Sequence, residues 1–528
     1  MKVRIGILIA IVALVAGALA AVAFWPVEVR QYRILAAGAV LEAASVLLLL
    51  WLIFAAPFRW RTRLAAAGAI LATAALATAT LRIGGVTGDL VPILEWRWTA
   101  AARQEATRLG AHRERSGDRG QDAATSSSAA VRPVSLEPIG PEDYPRFLGA
   151  RCDGASSAED PIAPWGDTPP QLVWRRPVGA AWSSFAVANG YAVTQEQRGE
   201  DECVVCYELD SGAERWAHSD SAHFQATIGG EGPRATPTVD GGRVYAVGAT
   251  GILNCLEGST GQRVWSHMFV EENGGSVREW GSSCSPLVHG GKVFVCAGGK
   301  NGASLVAYDA RSGELVASGG SDSQGYASPF VTSLAGVDQI ILFNKKSLAA
   351  HDPASGKLLW RYPWETSNPT VTQPVPVPPD RLLVTAGYGM GCELIELHSG
   401  DSGELGVRSI WKNTHLKSKF ANVLVEGGVA YGLDDGILTA IQLSDGKRLW
   451  KEGRYGHGQL LRVRDQVLIQ CESGEVVLAK LSTAGPEVLS RWPALDDKTW
   501  NHPVYRPPYL LVRNNHEAAC YRLVSARR

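Results

Sequence analysis

Cys203-Val204-Val205-Cys206 has the spacing of a redox pair or of half a metal site. At the start of a helix two such thiols share a face. On a strand, residues three apart point to opposite faces and cannot grip one ion. The stretch reads as a strand, so the pair is expected to be structural filler. Cys284 and Cys296 flank the turn signal Gly290-Gly291. A two-residue turn pairs 285 with 296 and leaves Cys284 on the other face, so no disulfide is expected there. A second set of reactive and binding groups stands just ahead of a recurring strand start. Thr236-Pro237, Ser285-Pro286, Ser328-Pro329, Gln373-Pro374 and His502-Pro503 each precede an apolar run. Near these and the equivalent starts lie Arg234, Trp280, Tyr326, Lys419, Asn422, His457, Gln459, Asn501 and His502. Cations, aromatic faces, amides and imidazoles of this kind bind and orient a ligand. No ordered cluster of acids and amides spells a Ca²⁺ site, and no metal is expected. Asp434-Asp435-Gly436 reads as a turn rather than a ligand pair.

A repeat positions these residues. In Ala350-His351-Asp352-Pro353-Ala354-Ser355-Gly356-Lys357-Leu358-Leu359-Trp360, a small residue is followed by an acid two later, Ser-Gly, then Trp four after the Gly. Cys206/Glu208/Ser211-Gly212/Trp216 and Cys255/Glu257/Thr260-Gly261/Trp265 repeat it. Ala440/Gln442/Asp445-Gly446/Trp450 has an amide for the acid, and Ala307/Asp309/Ser312-Gly313 has Ala317 in place of Trp. The Gly supplies a positive φ, and the oxygens before it close the turn onto backbone N–H groups. The position six before the Gly is always small: Cys206, Cys255, Ala307, Ala350, Ala440 and Ala479. A large flat group and a small notch recurring together imply that each unit's indole docks on its neighbour.

Closing positions fall at Trp174, Trp216, Trp265, Ala317, Trp360, Trp411, Trp450 and Trp492, spaced by 39 to 52 residues. That is the period of a four-stranded blade. Trp174 has no upstream strands of its own, and 503–523 offers strands with no closing Trp. An N-terminal strand completing the last blade removes both exposed edges. The expected fold is all-β: an eight-bladed propeller of four-stranded antiparallel blades over 172–528.

The repeat resembles the tryptophan-docking motif of the PQQ-type (quinoprotein) β-propellers, whose ideal spelling is A-x-D-x-x-T-G-x-x-x-W. Departures are Ala317, the seven-residue step from Gly485 to Trp492, and an insertion around 398–406 in the blade ending at Trp411. The resemblance implies eight blades and either of two roles. One is a periplasmic quinone-cofactor dehydrogenase; the other is a non-catalytic scaffold of the outer-membrane barrel assembly machinery. A PQQ tricarboxylate would need Arg234 and Lys419, an aromatic floor such as Trp280, and oxygen ligands for Ca²⁺. The adjacent Cys-Cys pair of several quinoprotein alcohol dehydrogenases is absent. At about 44 residues per blade, little chain is left for the inserted loops of those enzymes. The chain resembles the compact scaffold more, and the expectation is a binding protein without cofactor. A dehydrogenase of an alcohol or sugar, using PQQ with Ca²⁺, is the alternative.

The first 85 residues differ in kind. Spans at 5–25, 34–58 and 64–83 are each about long and apolar enough to cross a bilayer. Lys2 and Arg4 precede the first; Arg59, Arg61 and Arg63 separate the second from the third. Positive charge stays inside, so the expectation is a multi-pass inner-membrane anchor with everything after the third span in the periplasm. Arg30 and Arg33, in the first outer loop, run against this rule. Glu42 within the second span has no basic partner for a proton relay, and is expected to be satisfied inside the bundle. Trp96 and Trp98 read as interface anchors. Residues 86–140 form a juxtamembrane segment and polar tether, and 141–171 a lead-in over one propeller face. With 51 basic and 52 acidic residues there is no field to attract nucleic acid. The expected partner is an envelope protein or polymer over the channel face.

Overall fold

In the computed structural model, residues 2–26, 29–99, 133–400 and 404–526 are described. The chain forms two compact units, Met1–Glu105 and Ala106–Arg528. The first holds α1 (Lys2–Ala23), α2 (Arg30–Phe54) and α3 (Trp60–Thr80), all three long and apolar enough to span a membrane. Arg63 closes the end of α2, with Nε donating to Phe58 O (2.8 Å) and Nη1 to Phe54 O (3.2 Å). The third span stops earlier than its hydropathy suggests. At Leu81 the chain leaves the helix for a hairpin, Leu81–Val86 paired with Pro92–Trp96. Its turn is tied to the start of α2: Gln31 Nε2 donates to Gly88 O (2.7 Å) and Arg30 pairs with Asp89 (3.1 Å). The charge of Arg30 is therefore locally balanced. Trp96 and Trp98 stack at 4.8 Å. Glu42 differs from expectation: it lies on an exposed face of α2 rather than between helices.

The second unit is a ring of eight four-stranded antiparallel blades. Blade 1 runs outward through Ala186–Ala188, Tyr191–Arg198, Asp201–Glu208 and Glu214–Ser221. Blades 2 to 7 follow the same inside-to-outside order. Blade 8 takes its outermost strand, Gln171–Pro177, from the start of the unit, pairing it with Glu517–Arg522. The ring is closed as the terminal strands predicted, and its hydrophobic core lies within and between the blades.

Blades are joined by their indoles. Nε1 of Trp174 donates to Leu209 O (2.9 Å), of Trp216 to Gly258 O (2.9 Å) and of Trp265 to Ala310 O (3.3 Å). Trp411 reaches Leu443 O (2.7 Å) and Trp450 reaches Ser482 O (2.8 Å). Each acceptor is in the next blade, three residues before the Gly of its turn. That Gly is required twice over. Gly261 has φ +70°, and a Cβ there would stand 2.5 Å from the Trp216 ring; at Gly212 the ring of Trp174 would be 2.6 Å away. The small residue plays a different part from the expected notch. Cys206, Cys255, Ala350 and Ala440 stand directly opposite Trp216, Trp265, Trp360 and Trp450 in the same blade, where they give the ring clearance. A β-bulge at the residue before each of these tryptophans re-aims the strand. Facing the blade that carries the insertion around 398–406, Trp360 Nε1 bonds Gln339 Oε1 of its own blade instead (2.6 Å). Trp492 packs against Trp165 of the lead-in and Tyr521 of blade 8.

The lead-in closes one end of the channel. Tyr144 exchanges both backbone hydrogen bonds with Val187, Val239 N donates to Pro145 O (2.8 Å), and Arg462 N to Gly154 O (2.9 Å). These partners lie on or near the ends of innermost strands. Phe147, Leu148 and Cys152 reach inside to the strand starts at Thr238, Leu287 and Phe330. The segment begins earlier than 141, because Val134 and Leu136 are already buried against blades 1 and 2. It also covers His502, whose ring lies 6.3 Å from Tyr144 and 6.2 Å from Phe147. The His502 nitrogens sit 2.7 Å from Pro503 O and 3.1 Å from Leu460 O. Burial pulls its pKa down to about 4.

Two outcomes follow from these contacts. Trp216→Ala removes an indole and its bond to the next blade, and should cost about 3–5 kcal/mol in denaturant unfolding. His502 takes up its proton in the unfolded chain below about pH 6.5 but in the folded chain only near pH 4. Its contribution is therefore fully present above pH 6.5 and is lost as pH falls toward 4, by up to about 3 kcal/mol. Unfolding free energies of wild type and His502→Gln, measured across pH 7.5 to 4, should converge by that amount.

Candidate binding mouth

The direction of the strands puts two kinds of loop at the unplugged end of the channel. These are the connections between blades and the turns between second and third strands. Arg234 lies in the connection from blade 1 to 2, Arg278 and Trp280 in the next, and Tyr326 in the one entering blade 4. Tyr388 is on the second turn of blade 5. Lys419 and Phe420 precede blade 6, His457 precedes blade 7, and Lys498 and Trp500 precede blade 8. Trp182 lies in the run from the closing strand into blade 1.

These residues form two aromatic groups. In one, Trp280 stacks on Tyr326 (5.3 Å, 30°), the Arg278 guanidinium lies 5.2 Å over the same tyrosine, and Arg234 lies 4.6 Å over Phe224. Lys419 Nζ is 5.1 Å from the Tyr388 ring. In the other, Trp500 contacts Trp182 (4.7 Å) and Phe420 (4.8 Å), and Phe420 contacts His457 (5.5 Å). Lys498 Nζ sits 4.2 Å over Trp500 and 5.1 Å over Trp182. The groups meet at Gly229-Gly230, where Trp182 Nε1 donates to Gly229 O (2.5 Å) and Arg234 Nη2 to Gly230 O (2.6 Å). Such cation–π contacts fix long cationic side chains against flat walls.

Of the nine residues read from the sequence, Arg234, Trp280, Tyr326, Lys419 and His457 fall within these groups. The other four lie deeper and join blades. Asn422 exchanges hydrogen bonds with both the N–H (2.9 Å) and the C=O (2.7 Å) of Leu460. Gln459 Nε2 donates to Phe420 O and Trp500 O, and Asn501 Nδ2 to Ala181 O and Ser183 O. His502 lies under the lead-in. Trp182, Phe224, Arg278, Tyr388, Phe420, Lys498 and Trp500 were not among the nine. Phe420 and Trp500 adjoin residues that were. Trp182 precedes a strand with no X-Pro marker, and Tyr388 belongs to the other class of loop.

Three of the acids near this end have protein donors. Asp434 is fully buried, with Lys417 Nζ at 2.9 Å and Lys451 and Arg448 also on it, and these cations hold its pKa down against burial. Glu202 accepts from Ala249 N and Thr250 Oγ1 (2.9 Å each), and burial raises its pKa. Glu472 accepts from His457 N (3.1 Å) and Trp500 Nε1 (2.8 Å). Burial without an ion pair brings Arg234 down to about 10.

No curated protein matches the chain in sequence. Among solved structures, a quinohemoprotein alcohol dehydrogenase from Comamonas testosteroni aligns over 73% of this chain and 81% of its own at 14% identity and TM-score 0.51. A quinohemoprotein alcohol dehydrogenase from Pseudomonas putida HK5 aligns over 75% and 84% at 13% identity and TM-score 0.50. BamB from Moraxella catarrhalis aligns over 68% and 98% at 16% identity and TM-score 0.49. The two dehydrogenase alignments show a shared fold. Residues 168–336 and 344–512 match the family described as outer membrane protein assembly factor BamB. Those two segments carry nearly the whole ring and its indole-bearing repeats, and the chain belongs to that family of PQQ-repeat propellers.

Proposed function

We propose that this chain is a membrane-anchored, periplasm-facing propeller that acts as a non-catalytic binding or scaffold protein of the cell envelope. An envelope protein or polymer seats on its open mouth. The observation that carries this reading is the state of the oxygens around that mouth. A Ca²⁺ site needs six to eight oxygens free to converge. Asp434, Glu202 and Glu472 already accept from protein donors. Asn422 Oδ1 accepts from Leu460 N and Gln459 Oε1 from Asn422 N. Asn501 Oδ1, which has no partner, is one oxygen and not a coordination shell. Among the described residues of the propeller, no three acids, thiols or imidazoles converge within ligand distance, which supports a reading without Ca²⁺ or a metal-held quinone. The family description, an assembly factor, favours the same reading. Three apolar helices supply the anchor. Arg59, Arg61 and Arg63 between α2 and α3 favour placing that loop in the cytoplasm and the propeller outside.

The rival reading makes a direct counter-claim. Purified protein incubated with PQQ and Ca²⁺ should leave a redox dye unreduced with alcohols or sugars; substrate-dependent reduction would make the chain a dehydrogenase. The mouth itself is tested by partner recovery. An envelope partner chemically cross-linked in intact cells should co-purify with wild type and at least tenfold less with Trp500→Ala, whereas equal recovery would move the binding face elsewhere.

A further inference from the structure

We infer that the Tyr326-centred half of the mouth is a carboxylate-accepting subsite, and that the partner segment seated there is acidic. The inference rests on the binding-protein reading and adds the chemistry of what is bound. Its basis is a set of donors with nothing to donate to. Arg234 uses Nη2 on the carbonyls of Gly230 (2.6 Å) and Gly229 (3.3 Å), while its Nη1 is buried without a hydrogen-bond partner. Trp280 Nε1 is likewise buried and unpartnered. A methyl group on Gly229 would stand 3.5 Å from Arg234 Nη2 and 3.7 Å from Trp280 Cδ1. The guanidinium and the indole thus flank one glycine, which leaves their meeting point open. Arg278 donates through Nη1 to Gln324 O (3.1 Å), and its Nε is the third buried donor without an acceptor.

Among the described residues neither Arg234 nor Arg278 forms an ion pair. Several other buried or half-buried cations of the ring do, whereas the buried Arg513 donates to Thr194 Oγ1, Gln195 O and Gly179 O. Arg198 is held by Glu196 (3.0 Å) and Glu214 (2.8 Å), and Lys417 by Asp434 (2.9 Å). Burying a charge is costly, and Glu202 and Glu231 near Arg234 offset this only in part; a buried donor without an acceptor is costly too. Both costs are relieved when a ligand brings the anion. The backbone adds a further sign. Tyr388, whose ring faces Lys419, is held at φ +58°. Gly387 lets it approach, because a Cβ there would fall 2.8 Å from Lys419 Cα.

A carboxylate answers this arrangement. Its two oxygens can accept from a guanidinium fork and an indole N–H together, and charge-assisted bonds of this kind are the strong ones. The stacked Trp280 and Tyr326 shield the bonds from water. The mouth continues into the Phe420, Trp182 and Trp500 wall, which suits apolar side chains beside the acid. A short acidic stretch of polypeptide satisfies both halves, where a small free polycarboxylate satisfies one.

The full chain in detergent micelles should bind a capped hexaglutamate peptide saturably, read by tryptophan fluorescence and by calorimetry. Arg234→Gln should weaken the affinity at least tenfold. Arg278→Gln, at a half-exposed position that leaves the fold intact, should weaken it about fivefold, and Lys480→Gln on an outer strand should change nothing. Absent binding, or equal affinity in both arginine variants, would overturn the inference. So would citrate or inorganic phosphate binding with the same arginine dependence while the peptide does not bind. If the peptide fails to bind yet Trp500→Ala still loses the cross-linked partner, the acidic-segment inference falls and the scaffold reading stands.

Discussion

The structure depends on one contact made again and again: an indole of one blade lying on the glycine turn of the next. The contact couples three requirements. The turn needs a residue at positive φ, the ring needs the absence of a Cβ, and the indole N–H needs an acceptor. Gly212, Gly261, Gly313 and Gly446 meet the first two, and the carbonyl three residues upstream meets the third. The exceptions bear this out. Ala317 has no ring, and the Cβ position of Gly356 comes within 3.2 Å of its methyl, so the two blades close directly on each other. Trp360 faces the blade with the insertion around 398–406 and finds its acceptor within its own sheet.

A ring held by its outer strands leaves its inner strands to line a channel. Here the lead-in occupies one end of that channel. Residues 144–156 pair with the ends of innermost strands and push Phe147 and Leu148 between them. The polar groups deeper in the wall are consequently structural: Asn422, Gln459, Asn501 and His502 bridge blades 6, 7, 8 and 1. Buried polar networks of this kind are stable only when their members are satisfied, and they make the wall rigid. The stacked aromatic and cationic groups lie outside this network, on the loops at the other end.

Much of this was legible in the sequence because the repeat is a physical code. Gly for φ, Trp for docking and a small residue for clearance recur at fixed offsets, so blade number and ring closure followed from counting. The misreadings have physical causes. The small residue's partner could not be assigned to one blade or its neighbour from spacing alone. The exposure of Glu42 and the hairpin after Thr80 depend on helix packing and on Gln31 and Arg30 reaching Gly88 and Asp89, contacts far apart in sequence. At the mouth, X-Pro starts marked the correct connections, but they could not separate Arg234 and Trp280, which face the opening, from Asn422 and His502, which face the wall. That distinction is set by two or three residues of loop geometry. Trp182 and Tyr388 escaped because no periodic signal marks their loops.

The same geometry bears on the binding role proposed for this ring. A binding face built from loops is ordinarily mobile, and ordering it on contact opposes affinity. The mouth residues are ordered in advance. Trp182 and Trp500 are held by their indole N–H bonds to Gly229 O and Glu472, and each rests on its neighbour's ring. Lys498 lies across both faces, Lys419 across Tyr388, and Arg234 across Phe224. Four connections and two turns are fixed in this way, and the blades beneath them are locked by the indole clasp. On the proposed reading, a partner meeting this face would have little loop entropy to remove.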